Sequence, residues 1–140
     1  MPVANFALAR KTFVALSAAI QKGLVRSTHD CSEGGLGVAL AEMAFSGGLG
    51  ITVRLDQVPY KGRVRTDDRV LFAESNSRFI VEVAPAQQKK FEAAMKGVPQ
   101  ALIGRVEDPS EFVVYGLNKK PIISTYLEEL KEAWQAPLRW

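Results

Sequence analysis

The stretch of residues 29–37 constrains the fold of this chain more than any other part of the sequence. A short polar segment is followed there by two adjacent glycines, Gly34 and Gly35, and then by residues 38–45, in which apolar side chains recur at helical spacing. A chain with this order presents free backbone N–H groups at the N-terminus of a helix, where an anion can bind. The glycines carry no Cβ atom, so a ligand can approach the backbone closely.

The residues just before the glycines are of types that favour a helix start. Ser32 and Asp30 are preferred N-cap types, and Glu33 places a carboxylate near the positive end of the helix dipole. Polar residues and glycines also precede helices in ordinary capped turns. From these residues alone, both a plain capped turn and a ligand site remain open.

Hydrophobic periodicity predicts four main helices. The first covers residues 6–22 and ends at Gly23, the second covers residues 36–46, the third begins at Pro85, and Ser124 caps the last. Their apolar faces are formed by Phe6, Ala9, Phe13, Leu16 and Ile20; by Leu36, Leu40, Met43 and Ala44; by Phe91, Ala94 and Met95; and by Leu127, Leu130 and Trp134.

Strands are predicted by alternation or β-favouring residues at 51–55, 78–83, 101–107 and 112–115, with a short strand at 26–28 and an extension of the sheet at 122–123. Phe79, Val81 and Val83 share one face of the strand at 78–83, and Ile80 lies on the other. Residues 56–68 read as an exposed loop, residues 70–72 as a short helix or strand, and residues 74–77 as a turn. The turn-forming residues 108–111 predict an antiparallel hairpin. The fold class is therefore α+β, with a mixed β-sheet of four or more strands packed with helices.

The composition limits the possible functions. The chain has 140 residues, of which 47% are apolar and 24% charged, with a net charge of +3, and this fits one domain over residues 1–140. Basic residues are scattered, so no nucleic-acid binding is predicted. No apolar stretch reaches the roughly 20 residues of a membrane span, and we expect no membrane association and a cytoplasmic location.

Cys31 is the only cysteine and His29 the only histidine in the chain. One cysteine excludes an internal disulfide and fits a reducing compartment. One histidine and one cysteine cannot by themselves build a zinc site. Nothing in the sequence identifies a further group that would orient a Cys31–His29 pair, so we expect Cys31 to pack in the core and predict no catalytic residue and no metal site.

A longer set of residues resembles one enzyme family. The string THDCSEGGLGVALAEMA at residues 28–44 is similar to a motif in the C-terminal half of the large subunit of phosphoribosylformylglycinamidine synthase. The resemblance continues through GGLG at 47–50, LFAES at 71–75, RF at 78–79 and IGRV at 103–106. It covers most of the chain and implies an AIR synthetase-like C-terminal domain.

The resemblance implies an ATP-dependent ligase of purine biosynthesis. In that reaction the amide oxygen of formylglycinamide ribonucleotide (FGAR) is phosphorylated, and ammonia derived from glutamine displaces the phosphate. Such a reaction depends more on positioned groups for phosphates and magnesium than on a protein nucleophile. The resemblance implies that six positions bind the substrate or a phosphate: Ser32, Glu33, Gly34, Gly35, His29 and Asp30. For His29 and Asp30, the alternative is that they only fix the turn.

A second group of candidate residues is Glu74, Ser75 and Arg78. Glu74 is expected to hold magnesium through water or to orient the substrate, and Arg78 to meet a phosphate. The alternative is that Glu74 and Arg78 pair with each other across a turn. Glu42, on the predicted second helix, is expected to be solvated or paired along its own helix.

The resemblance also sets expectations for cofactors and partners. ATP and Mg²⁺ are expected in the complete enzyme, with none binding tightly to this domain alone. The partners implied are the missing N-terminal ATP-binding domain or half, a glutaminase subunit, a small accessory subunit and a small-molecule substrate. The isolated chain is expected to be inactive. The alternatives are a non-catalytic assembly module and the equivalent domain of another enzyme of the superfamily.

Overall fold

The structure is a computed structural model that describes residues 5–60, 65–107 and 109–139. Within these residues, helices and strands alternate along the chain as far as the fourth helix, after which three strands precede the last helix. The helices are α1 (Phe6–Gln21), α2 (Gly35–Gly47), α3 (Asp67–Phe72), α4 (Gln88–Ala94) and α5 (Leu127–Gln135). The strands are β1 (Ser27–Asp30), β2 (Gly50–Arg54), β3 (Phe79–Glu82), β4 (Gly104–Glu107), β5 (Glu111–Tyr115) and β6 (Pro121–Tyr126).

Four strands form one mixed sheet in the order β4-β2-β5-β6. β2 runs parallel to β5 and antiparallel to β4, and β5 runs antiparallel to β6. β1 and β3 form a separate antiparallel pair, in which Asp30 lies opposite Phe79. The predicted α+β class with a mixed sheet of four strands is confirmed, as are the short strand that leads into the motif and the extension of the sheet at residues 122–123.

The predicted hairpin between β4 and β5 is wrong, because β2 lies between these two strands. Gly50, at the start of β2, lets the connection pass across the end of that strand. A Cβ atom on Gly50 would lie 2.1 Å from the carbonyl oxygen of Pro109 and 2.6 Å from that of Glu111. A short connection therefore joins two strands that are not neighbours. Asp108, part of the predicted turn, lies outside the described residues.

The largest buried cluster lies between α2 and the inner face of the mixed sheet. Alternation places Ile51 and Val53 of β2, and Phe112 and Val114 of β5, in this core. The side chains of β3 also alternate as predicted: Ile80 packs against the main core, whereas Phe79 and Val81 pack against a smaller cluster of Leu16, Met95 and Val98. The small sheet thus separates two apolar clusters.

The predicted apolar stripe of α1 is largely wrong, although the helix and its glycine terminus are confirmed. The buried residues of α1 are Thr12, Leu16 and Ala19. Phe6 is 82% exposed, Phe13 50% and Ile20 46%. In the described part of the chain, α1 packs mainly on α4 and on the face of β3 that carries Phe79, so only a narrow side of the helix is covered.

The start of the last helix also differs from the prediction. Ser124 lies within β6 opposite Val113, and α5 begins only at Leu127. Ser124, which was expected to cap the helix, pairs with a neighbouring strand instead. Residues 70–72 belong to α3, and the predicted loop at 56–68 contains a turn of 3-10 helix at Leu55–Gln57 and the first residues of α3. Residues 61–64 of that loop lie outside the described residues.

Candidate ligand site at the start of α2

The turn between β1 and α2 is built on two glycines in the left-handed conformation. Gly34 and Gly35 both have φ of +66°, a region that residues with a Cβ atom avoid. Gly34 is the N-cap residue, and no side chain caps the helix at this point. Neither Ser32 nor Asp30 therefore serves as the N-cap that their residue types suggested.

Both glycines are in close contact with other parts of the chain. A Cβ atom on Gly34 would lie 2.3 Å from Cγ2 of Val38, one turn further along α2. A Cβ atom on Gly35 would lie 2.6 Å from the carbonyl oxygen of Leu71 and 2.9 Å from the carbonyl carbon of Phe72. The absence of side chains thus lets the start of α2 pack against the end of α3.

The two groups of residues predicted from the sequence meet at this turn. The N–H of Gly34 donates to Oε1 of Glu74 at 2.9 Å, and the N–H of Cys31 donates to the carbonyl oxygen of Arg78 at 3.0 Å. The carboxylate of Glu74 therefore lies at the N-terminus of α2, a position that favours negative charge. Ser75 is exposed in the segment that joins Glu74 to β3.

Glu74 and Arg78 do not form the side-chain pair that was the alternative prediction. Arg78 donates from Nη2 to the carbonyl oxygen of Ala73 at 2.8 Å, while Glu74 accepts from Gly34. The Nε atom of Arg78 is buried and has no hydrogen-bond partner among the described residues. Arg78 thus fixes the backbone that carries Glu74, and Glu74 in turn holds the glycine turn.

Cys31 is 1% exposed and belongs to the main core. Burial raises the pKa of its thiol, and the positive charge of Arg78 only partly opposes that rise. A raised pKa keeps the thiol protonated near neutral pH, and the thiolate is the nucleophilic form. The geometry therefore supports a packing role for Cys31.

The polar residues of the turn remain at the surface. Ser32, Glu33 and Asp30 are exposed. A hydrogen bond from the Ser32 side chain holds the pKa of Asp30 below its ordinary value, so Asp30 is an anion at neutral pH. This contact places the hydroxyl of Ser32 against Asp30, on the protein surface beside the glycines.

Sequence reasoning missed the contacts of Glu42. Its Oε2 atom lies 3.2 Å from Nε2 of His29, and its Oε1 atom accepts a hydrogen bond of 3.0 Å from Nε1 of Trp134. The prediction that Glu42 is solvated or paired along its own helix is wrong. No local pattern could have revealed these contacts, since Glu42 and Trp134 lie 92 positions apart in the chain.

The backbone at the start of α2 is a position at which an anion can bind. The N–H groups of the first helical turn have no partner within a helix, and an exposed hydroxyl lies beside them. Among the described residues, no group of three or more His, Cys, Asp or Glu is placed to hold a metal ion. In the same part of the chain no helix is long and apolar enough to span a bilayer. Contact between a ligand and the six predicted residues of the turn remains a prediction.

Comparison with known proteins places the chain beside enzymes that contain this fold. The chain is 39% identical over 139 residues to the phosphoribosylformylglycinamidine synthase subunit PurL of Deinococcus radiodurans, a match that covers 99% of the chain and 18% of that subunit. The chain therefore spans less than a fifth of the length of this curated relative.

Solved structures show the same fold. A structure of PurL of Thermotoga maritima complexed with FGAR matches with a TM-score of 0.82 at 21% identity, covering 93% of this chain and 22% of that one. HypE of E. coli, a hydrogenase maturation protein, matches with a TM-score of 0.64 at 20% identity over 76% of this chain and 37% of its own.

The family model described as AIR synthase related protein, C-terminal domain, matches residues 2–116. The match includes the glycine turn, α3, the small sheet and most of the mixed sheet, whereas β6 and α5 lie beyond it. The chain belongs to the family of AIR synthase related proteins, C-terminal domain.

Proposed function

We propose that this chain is the C-terminal domain of a phosphoribosylformylglycinamidine synthase, and that it contributes contacts to a phosphate of the substrate or nucleotide in the ATP-dependent amidation of FGAR. The observation that carries this proposal is the 39% identity to PurL along almost the whole chain. The HypE matches have the same fold at about half that identity, so the fold alone does not distinguish the branches of the superfamily.

The glycine turn is the proposed point of contact. Its backbone N–H groups lie at the N-terminus of α2, where the helix dipole favours an anion. Glu74 already accepts from Gly34, so a phosphate would bind beside Glu74, at the amides that follow in the first turn. The hydroxyl of Ser32 would turn away from Asp30, to which it donates in this structure, and donate to the phosphate. A dianionic phosphate next to Asp30, Glu33 and Glu74 needs a cation to offset their charge.

ATP and Mg²⁺ are proposed to bind tightly only to the complete enzyme, and at most weakly to this domain by itself. Structures of T. maritima PurL complexed with ADP and with ATP match this chain in fold. Magnesium in nucleotide sites is held by phosphates together with one or two carboxylates. Glu74 is the carboxylate of this domain best placed to be one of them, and the nucleotide must supply the other ligands.

We propose that activity requires further parts of the enzyme. The PurL subunit of D. radiodurans is about five times as long as this chain. A structure of PurLQS from T. maritima contains the same fold. An N-terminal ATP-binding domain, a glutaminase subunit and a small accessory subunit are the proposed partners. Synthase activity of the purified chain without any other subunit would contradict this part of the proposal.

The test is an NMR titration of the purified chain with FGAR and, separately, with Mg-ATP. We expect saturable shifts of the backbone amides of residues 32–37. Ser32→Ala should weaken the binding about tenfold, because a hydrogen bond to a charged group is lost. Ser46→Ala is the matched control, since Ser46 is an exposed serine near the other end of α2, and it should leave the affinity unchanged.

The alternative is an assembly module that has no ligand of its own and supplies only packing surface to a catalytic half. Shifts confined to residues 32–37 and weakened by Ser32→Ala support the ligand site. The absence of any shift at millimolar FGAR and Mg-ATP contradicts a preformed site and favours the assembly module. Shifts that Ser32→Ala does not alter would exclude Ser32 from the contact.

A further inference from the structure

We propose that Glu42 and Trp134 are positioning residues for His29, so that α5 helps to set the geometry of the glycine turn. This inference deepens the proposed function, because it concerns the same turn. It also gives a functional role to a residue beyond position 116, where the match to the family model ends.

The first step of the argument is the position of His29 between two acceptors. Its Nδ1 atom lies 2.6 Å from the carbonyl oxygen of Asp30, and its Nε2 atom lies 3.2 Å from Oε2 of Glu42. A ring nitrogen donates to an oxygen acceptor only when it carries a proton. The two acceptors lie on opposite sides of the ring, and Oδ1 of Asp30 lies 3.7 Å from Nδ1, so the position of the ring depends on where Glu42 holds its carboxylate.

The second step is that Glu42 is itself held from the other side. Trp134 donates its indole N–H to the other carboxylate oxygen, Oε1, at 3.0 Å. The Trp134 ring also packs against Phe45 of α2, with ring centroids 5.8 Å apart. A carboxylate with one oxygen toward each ring has little freedom to rotate. Trp134 of α5 therefore fixes the orientation of the Glu42 carboxylate that faces His29.

The third step is that this connection is separate from the apolar packing of α5. Leu127 is buried and Leu130 packs against the main core, so apolar side chains other than Trp134 also anchor the helix. Trp134 is 47% exposed and lies near the end of the helix. Its indole N–H donates to Glu42 on the surface side of the helix, so this hydrogen bond can be removed without disturbing the buried leucines.

The test uses the fact that His29 is the only histidine in the chain. Its ring signals in a ¹H–¹⁵N NMR spectrum of the ¹⁵N-labelled full chain can be identified without further assignment. The variants are Glu42→Gln, Trp134→Phe, Glu42→Ala and the double variant of Glu42→Ala with Trp134→Phe, all compared at one pH. Trp134→Phe keeps an aromatic ring near Phe45 while it removes the indole donor together with part of the ring. Glu132→Gln is the matched control on α5, since Glu132 pairs with Arg139.

We expect Glu42→Gln to shift the ring nitrogens of His29, and Trp134→Phe to shift the same signals. In the background of Glu42→Ala, which removes both contacts of the side chain, Trp134→Phe should shift them no further, because its effect passes through Glu42. Glu132→Gln should leave the signals in place. A shift by Trp134→Phe that persists without Glu42 would overturn the proposal, since the indole would then act on His29 directly, and so would the absence of any shift.

Binding of FGAR supplies the second readout. Trp134→Phe should weaken the affinity of the turn for FGAR about fivefold, the lower end of typical coupling between sites, and Glu132→Gln should not change it. If FGAR does not bind the chain at all, the proposed function fails while the His29 signals still decide whether Glu42 and Trp134 position the ring. Unchanged affinity in Trp134→Phe, with FGAR bound, would overturn the link between α5 and the turn.

Discussion

The two ends of α2 carry the same dipeptide, Gly-Gly, but the surroundings of the two pairs differ. At the start, a Cβ atom on Gly34 or Gly35 would meet Val38 or the backbone of α3 within 3 Å. At the end, a Cβ atom on Gly47 or Gly48 would meet nothing within 4 Å. The glycines at the start permit close tertiary packing, whereas those at the end only terminate the helix.

The difference shows that a glycine pair does not reveal its role in the sequence alone. The atoms that restrict Gly35 belong to Leu71 and Phe72, which are far away along the chain. Gly48 has φ of +66° like the glycines at the start, and its N–H donates to the carbonyl oxygen of Ala44, which is local helix termination. The comparison predicts a graded series of effects on stability.

The largest effect is expected for Gly35→Ala. The left-handed φ costs about 1–2 kcal/mol for a residue with a Cβ atom, and the contact with rigid backbone adds the cost of overpacking, about 1–3 kcal/mol. We expect the free energy of unfolding to fall by about 3 kcal/mol in a urea titration followed by circular dichroism.

Gly48→Ala is the control for this prediction. It has the same φ and open space around it, so it should lose only the conformational part, about 1 kcal/mol. Equal losses in the two variants would mean that the contact with α3 does not restrict Gly35, and the contrast between the ends of α2 would fail.

Gly34→Ala should have the second largest effect. Its φ is also +66°, and the obstacle is the Val38 side chain, with Cβ at 2.6 Å and Cγ2 at 2.3 Å. Rotation of Val38 moves Cγ2 but not Cβ, so part of the strain remains. We expect a loss of about 2 kcal/mol in the same titration. In the background of Val38→Ala, Gly34→Ala should cost less than in the parent chain, and an equal loss in the two backgrounds would contradict the proposed contact.

Replacement of Glu74 tests the hydrogen bond that joins the two predicted groups of residues. Glu74→Ala removes the acceptor of the Gly34 N–H. The side chain is exposed, so water can replace it, and the expected loss is about 1 kcal/mol. The measurement is again chemical denaturation, with the exchange rate of the Gly34 amide as a local probe. Glu33→Ala, a neighbouring exposed glutamate at the turn, should leave the Gly34 amide protected. Equal exchange of that amide in both variants would argue against the bond.

The sequence predicts those parts of the fold that depend on neighbouring residues. Periodicity placed α1, α2, β2 and β3, and Gly23, with φ of +67°, ends α1 as expected. The prediction from periodicity was wrong where contacts with residues far along the chain determine the structure. The exposed face of α1 depends on which elements cover it, and the order of strands depends on how the chain passes Gly50.

The same division holds at the candidate site. The two groups of candidate residues are predicted separately from the sequence, and the structure brings them together through Gly34 and Glu74. The contacts of Glu42 with His29 and Trp134 join three separate elements, and no spacing in the sequence specifies them. The role of the two glycines in packing also became clear only from the position of α3.

The smallest effect, and the only one of opposite sign, is expected for Gly47→Ala. Gly47 is the last residue of α2, with no left-handed φ and with open space where a Cβ atom would lie. Alanine there restricts the unfolded chain and fits a helical backbone without strain, so the free energy of unfolding should rise by about 0.5 kcal/mol. The difference is close to the error of denaturant extrapolation, so midpoints should be compared in parallel titrations with the Gly48→Ala variant. A lower midpoint for Gly47→Ala than for the parent chain would show that the end of α2 is restricted too, and would remove the asymmetry between the two glycine pairs.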